Sequence, residues 1–281
     1  MNSMVLSSSR PRLNNLDGRE WVKSTKSWFV VNPPSRTRDQ TKHPAKFPEG
    51  LVARFVRYFT RQGGWVIDPF VGVGSTLVAC KTLDRNSVGI ELNPRYAFTT
   101  QSEVEKATGS GEHHIINGDS NRIASLLQQT FGGKAPQFDY LITSPPYWDM
   151  LHKSRGGNDS VHKERARKGL DQFYSTSTSD IGNIASYEDY IEAVGQVLDS
   201  VKPFLKEHAY ITVVAQNMLD TDGNMRPIAW DLARRLSKTY RLRQEQIWCQ
   251  DNKRLGCWGY PTTYVSNVHH HYCLILQNTL R

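Results

Sequence analysis

The chain has 281 residues, 38% of them hydrophobic and 22% charged, which excludes a disordered polymer and a repeat fibre and allows one large domain or two small ones. No apolar run approaches the roughly 18 residues a membrane helix needs, and the opening MNSMVLSSSRPRLNN lacks the apolar stretch of a secretory signal. The net charge of +8 suits a polyanionic partner or simply a basic soluble enzyme.

Residues 1–41 are polar and rich in Ser, Pro and basic side chains, and read as a basic arm ahead of a domain over 42–281. Trp28 to Val31 reads as a short strand. Leu51, Phe55, Val56 and Phe59 recur at helical spacing, so a helix is expected over Glu49 to Thr60, ended by Gly63 and Gly64. Then strands and helices alternate: strand Trp65 to Asp68, turn Pro69 to Gly74, helix Ser75 to Leu83, strand Ser87 to Glu91, and a helix opened by Pro94. Strand His113 to Asn117, helix Asn121 to Gln129 and strand Tyr140 to Thr143 continue the pattern, which implies a parallel sheet covered on both faces. Asp149 to Ser186 reads as a long polar loop with a basic cluster at Lys163, Arg165, Arg167 and Lys168. Helix Tyr187 to Val201, strand Tyr210 to Ala215, helix Pro227 to Leu236 and strands Leu242 to Cys249 and His271 to Gln277 complete the chain.

Two loops carry the chemistry. DPFVGVGST, Asp68 to Thr76, sits between a strand and a helix. Gly72 and Gly74 let a ligand approach the backbone closely, and the helix N-terminus beyond favours an anionic group. Glu91 ends the next strand, where an acidic side chain binds ribose hydroxyls in dinucleotide folds. Leu77 occupies the third glycine position of the full fingerprint, so the loop alone also reads as an ordinary tight turn. TSPPYW, Thr143 to Trp148, follows the fourth strand of the alternating run, and two prolines hold the carbonyls of Ser144 and Pro145 in a rigid turn as acceptors. Tyr147 offers a flat face there. An acceptor pair beside an aromatic ring suits a planar group bearing an NH₂, and the same residues also suit a purely structural turn.

These two loops resemble the cofactor and catalytic motifs of the DNA amino-methyltransferases, which methylate cytosine N4 or adenine N6 with S-adenosylmethionine. HPAKFP, His43 to Pro48, resembles the segment beside the cofactor's methionine end. GIELNPRY, Gly89 to Tyr96, resembles the ribose-binding strand end, and NGDS, Asn117 to Ser120, the stretch near the adenine. The resemblance implies a class I methyltransferase fold, α/β, with a Rossmann-like, seven-stranded, mostly parallel sheet and helices on both faces. The cofactor-binding residues it implies are Lys46, Phe47, Pro48, Asp68, Pro69, Phe70, Gly72, Gly74, Ser75, Thr76, Glu91, Leu92, Asn93, Asp119 and Ser120, and the catalytic ones Ser144, Pro145, Pro146 and Tyr147. Two departures stand out. HPAKFP precedes the proline turn, whereas many members with such a segment have the reverse order, and no separate target-recognition domain is visible.

The same resemblance gives Ser144 and Pro145 the role of accepting the amine hydrogens and Tyr147 that of stacking on a base flipped from the duplex. Ser in place of Asp or Asn before Pro-Pro-Tyr favours cytosine N4. Adenine N6, an RNA amine, a protein glutamine and a DNA-binding module without catalysis are the alternatives. Cytosine C5 chemistry needs a cysteine nucleophile, and none of the four cysteines, Cys80, Cys249, Cys257 and Cys273, sits in a Pro-Cys turn. They form no C-x-x-C pair and read as reduced cytosolic thiols. The expected partners are double-stranded DNA and, as an open option, a restriction endonuclease. No membrane is expected, and the location is cytoplasmic, nucleoid-associated through DNA. Phosphate contacts are expected from the arm (Arg10, Arg12, Lys23, Lys26, Arg36, Arg38), the Lys163 to Lys168 cluster and Arg234 to Arg243, and base reading from the long loop or from Gly256 to Tyr264. His269, His270 and His271 alternate faces on a strand, so no metal site is expected from them.

Overall fold

The computed structural model describes residues 12–33, 48–148, 177, 179–220, 223–253 and 255–279. One sheet orders the molecule. From edge to edge it runs β1 (Trp28–Val30), β9 (Arg241–Cys249), β10 (His270–Gln277), β6 (Leu205–Ala215), β5 (Phe138–Thr143), β2 (Trp65–Asp68), β3 (Asn86–Glu91) and β4 (His113–Asn117). Every neighbouring pair is parallel except those made by β10, which is antiparallel to both β6 and β9. A two-stranded ribbon, β7 (Met218–Leu219) with β8 (Met225–Arg226), stands apart.

The sheet has eight strands, which corrects the expected seven. The strand beyond seven is β1, which the sequence marked as a short strand over Trp28 to Val31 inside the stretch assigned to a basic arm. Its Phe29 is buried edge-on to Phe55, with ring centroids 5.9 Å apart. The indole N–H of Trp248 donates to the Val31 carbonyl at 2.7 Å, which pins the strand to β9. Just before it lies α1 (Gly18–Ser24), opened by a reciprocal box in which the Asp17 side chain accepts from the Glu20 N–H and Glu20 accepts from the Asp17 N–H.

Helices cover both faces because the central strands are apolar on both sides. On one face α2 (Glu49–Phe59) buries Leu51, Val52, Phe55, Val56 and Phe59 against Tyr140, Ile142, Val214 and Cys273. That stripe follows the helical spacing of the sequence. On the other face α5 (Ile123–Thr130), α6 (Tyr187–Val201) and α7 (Ile228–Leu236) pack on Ile67, Leu141, Ile211, Val213 and Leu274. The remaining helices, α3 (Ser75–Thr82) and α4 (Pro94–Lys106), follow β2 and β3. Ser120–Arg122 forms a single 3-10 turn ahead of α5, where the sequence suggested the helix itself.

Candidate active site

Strand order reverses between β2 and β5. From β2 the chain steps outward to β3 and β4, then returns to place β5 and β6 on the other side. Such a reversal opens a crevice beyond the carboxyl ends of the strands, where ligands of these folds sit. Both motif loops leave from that crevice. Asp68 ends β2 and Thr143 ends β5, and the Thr143 hydroxyl donates to Asp68 Oδ1 at 2.6 Å. The same carboxyl accepts from the Phe70 N–H at 3.0 Å and the Thr76 hydroxyl at 2.5 Å. Asp68 therefore ties the glycine turn, the first turn of α3 and the proline turn together. It is wholly buried, and loss of hydration pushes its pKa up to about 6 against the pull of these three donors.

On the glycine side, Gly72 and Gly74 take φ of +59° and +91°, which only glycine adopts readily. The Gly72 N–H donates to Glu91 Oε2 at 3.0 Å, and Glu91 Oε1 accepts from the Asn93 N–H at 2.8 Å. Asn93 caps α4, with Leu92 and Pro94 on either side of it. Burial is the main cause that raises Glu91 to about 8, opposed by these two N–H groups. The Asn117 amide donates to the carbonyls of Glu91 and Leu92, locking the ends of β3 and β4. Asp119 caps the 3-10 turn, and the buried Ser120 hydroxyl donates to the Pro69 carbonyl at 2.5 Å. Ser75 and Thr76 are buried in the first turn of α3, and Pro48 is buried at the start of α2. Lys46 and Phe47 lie outside the described residues. Each carboxylate oxygen of Glu91 has room for a second donor, so a nucleoside's vicinal hydroxyls fit this strand end. The donor set suits S-adenosylmethionine, the cofactor of this class.

The proline turn is anchored rather than loose. The Ser144 hydroxyl donates to the Tyr147 hydroxyl at 3.4 Å, a long bond. Pro145 is buried, and Pro146 is partly exposed. Tyr147 is only 9% exposed, so the flat face expected from sequence is largely covered, and burial pushes its hydroxyl up to about 12. Its ring lies 6.3 Å from that of His271. Trp148 packs under the loop, its N–H donating to the Ile184 carbonyl at 3.0 Å, which joins the two ends of the long loop. Residues 149–176, with the Lys163 to Lys168 cluster, lie outside the described residues.

Other expected contacts are scattered. Arg10, Arg36 and Arg38 lie outside the described residues. Arg12 donates to the Leu16 carbonyl, and Lys26 sits over the Trp28 ring at 3.5 Å. Arg235 is buried and paired with Glu192 and Asp199. Arg241 pairs with Gln277 at the far end of β10, so Arg241 and Arg243 sit at the rim opposite Ser144. Trp258 and Tyr260 are exposed on the β9–β10 loop, which leaves from the Ser144 rim. Burial pushes the Cys80 and Cys273 thiols up, away from nucleophilic use. Among the described residues no His, Cys, Asp or Glu cluster is arranged to hold a metal ion, and His271 stacks on Trp248 while His270 meets Tyr272 edge-on.

Fold and crevice together define a class I S-adenosylmethionine-dependent methyltransferase fold. Residues 7–102, about a third of the chain, match the model of the N6/N4 methyltransferase family, described as DNA methylase. The match ends before Ser144. The type II methyltransferase M.BglI of Bacillus subtilis is 37% identical over 94 residues, 33% of this chain and 26% of that protein. M.MthZI of Methanothermobacter thermautotrophicus is 34% identical over 109 residues, 39% of this chain and 31% of that one. The similarity thus spans a third or less of either relative's length. The solved structure of TrmN from Thermus thermophilus superposes with a TM-score of 0.48 at 12% identity, covering 86% of this chain and 52% of that one.

Proposed function

We propose that the chain transfers a methyl group from S-adenosylmethionine to the exocyclic amine of a base extruded from duplex DNA, with N4 of cytosine the favoured target. The observation that carries this reading is the Thr143–Asp68 bond, which holds the glycine turn and the proline turn on one crevice. When bound, S-adenosylmethionine supplies a methyl carbon on a positively charged sulfur. Gly72, Glu91 and the Asp119–Ser120 turn hold the nucleoside end.

The amine of a base is a poor nucleophile because its lone pair is shared with the ring. Ser144 directs its proton to Tyr147, so its lone pairs face away from that bond and accept an amine hydrogen. The Pro145 carbonyl accepts the other. Together they favour a pyramidal nitrogen whose lone pair is no longer in the ring plane. No strong base is required, because the methylated cationic amine gives up its proton readily. Catalysis is then largely positioning. A base stacked on Tyr147 requires the turn to open, since that ring is 9% exposed. Ser in place of Asp or Asn ahead of Pro-Pro-Tyr supports cytosine.

The test is incubation with methyl-labelled cofactor and separate pools of DNA, RNA and protein. Label is expected in DNA, and digestion to nucleosides is expected to yield N4-methylcytosine. Label in RNA or protein alone removes the reading, and N6-methyladenine corrects the base. Ser144→Ala is expected to lower kcat about 10- to 100-fold, the effect of one lost hydrogen bond to a reacting group, with cofactor affinity unchanged.

A further inference from the structure

His271 sits beside the proline turn and has no role in the scheme above. It lies near the start of β10, whose reversed direction brings the strand's first residues to the rim where β5 and β6 end. Its ring stacks on Trp248 at 4.4 Å, with the Tyr147 ring 6.3 Å away. The residue is 8% exposed, and its Nδ1 is buried with no hydrogen-bond partner among the described residues. Gln250 follows Trp248 by two positions, on the same face, and its N–H continues the ladder to the His269 carbonyl. Its Oε1 is likewise buried and unpaired. Buried polar atoms are nearly always paired, so two orphans at one corner mark a place that an incoming polar edge completes. Burial, and then the charges of Lys253 and His270, hold His271 down at about 3. The ring is therefore neutral and offers one N–H donor.

We propose that His271 is a base-binding residue, its Nδ1–H donating to the ring nitrogen next to the exocyclic amine of the extruded base. The inference rests on the DNA amino-methyltransferase reading. Cytosine N3 and adenine N1 are both acceptors adjoining the amine, so this bond sets the amine's orientation toward Ser144 and Pro145 for either base.

Three variants test it on unmethylated genomic DNA. His271→Asn keeps an amide N–H where Nδ1 stood, His271→Gln moves it to the position of the outer ring nitrogen, and His271→Phe keeps the stacking without a donor. Methyl transfer, as kcat/KM, is expected to fall about 10- to 100-fold in His271→Phe and His271→Gln and to stay within about threefold in His271→Asn. Cofactor Kd is expected to be unchanged in all three. An equal fall in His271→Asn and His271→Gln, or wild-type rates throughout, overturns the proposal. Where His271→Phe loses its thermal transition, the Asn–Gln comparison decides. A wild-type chain that binds cofactor yet leaves DNA unlabelled removes the parent reading, and this one with it, before any variant is compared.

Discussion

Glu91 carries a proton that a ligand can dislodge. Its carboxyl is raised to about 8 chiefly by burial, so the unliganded group is mostly protonated at neutral pH. In the proposed reading, ribose hydroxyls would donate to the ionised form and favour it. Cofactor binding below about pH 8 is therefore expected to release a proton, and affinity to rise with pH up to that point. Calorimetry in buffers of different ionisation heat reads the release directly, and Glu91→Gln is expected to abolish it. Asp68 shows the same direction of shift with a different consequence. Its folded pKa, about 6, lies above the ordinary carboxylate range, so its contribution to stability is present in acid and is lost as pH rises through about 6. Asp68→Asn keeps an acceptor for Thr143 and Phe70 and carries no charge. Denaturant midpoints are expected to fall between pH 4.5 and 7 less in this variant than in the wild type.

At the scale of elements, the first turn of α3 depends on Gly74. It stands at φ +91° as the helix N-cap, and a Cβ there would meet Thr100 Cγ2 at 2.9 Å and Thr100 Cα at 3.2 Å. The second contact is backbone and cannot rotate away. Gly74→Ala is expected to destabilise by about 1–3 kcal/mol, the range for backbone strain of this kind, read as a lower denaturant midpoint. Elements with strong periodicity were legible in the sequence: Trp65–Asp68, His113–Asn117 and Tyr187–Val201 agree residue for residue. Helix α1 went unread because its stretch looked like a charged arm, although Asp17-x-x-Glu20 is a capping signal. Leu205 to Ala209 was also missed as strand. Its Lys206, Glu207 and His208 are exposed and polar, so no alternation marks it.

For the whole molecule, the crevice was foreseeable because its two loops sit at the ends of strands that the βα alternation forces to be parallel. What pattern alone did not supply is contact between distant segments. Nothing local to His271 announces Tyr147, which lies more than a hundred residues earlier. Nor does the run Arg234 to Arg243 reveal that one of its arginines is paired with Glu192 and Asp199 while others occupy the far rim. The sheet order has a further effect. β10 is synthesised after β9 yet lies between β9 and β6. The outer pair β9 and β1 thus has no seat until β10 arrives, so on a nascent chain the run of strands from β4 to β6 can assemble first, and the corner containing His271 and Trp248 closes only after β10 has been made.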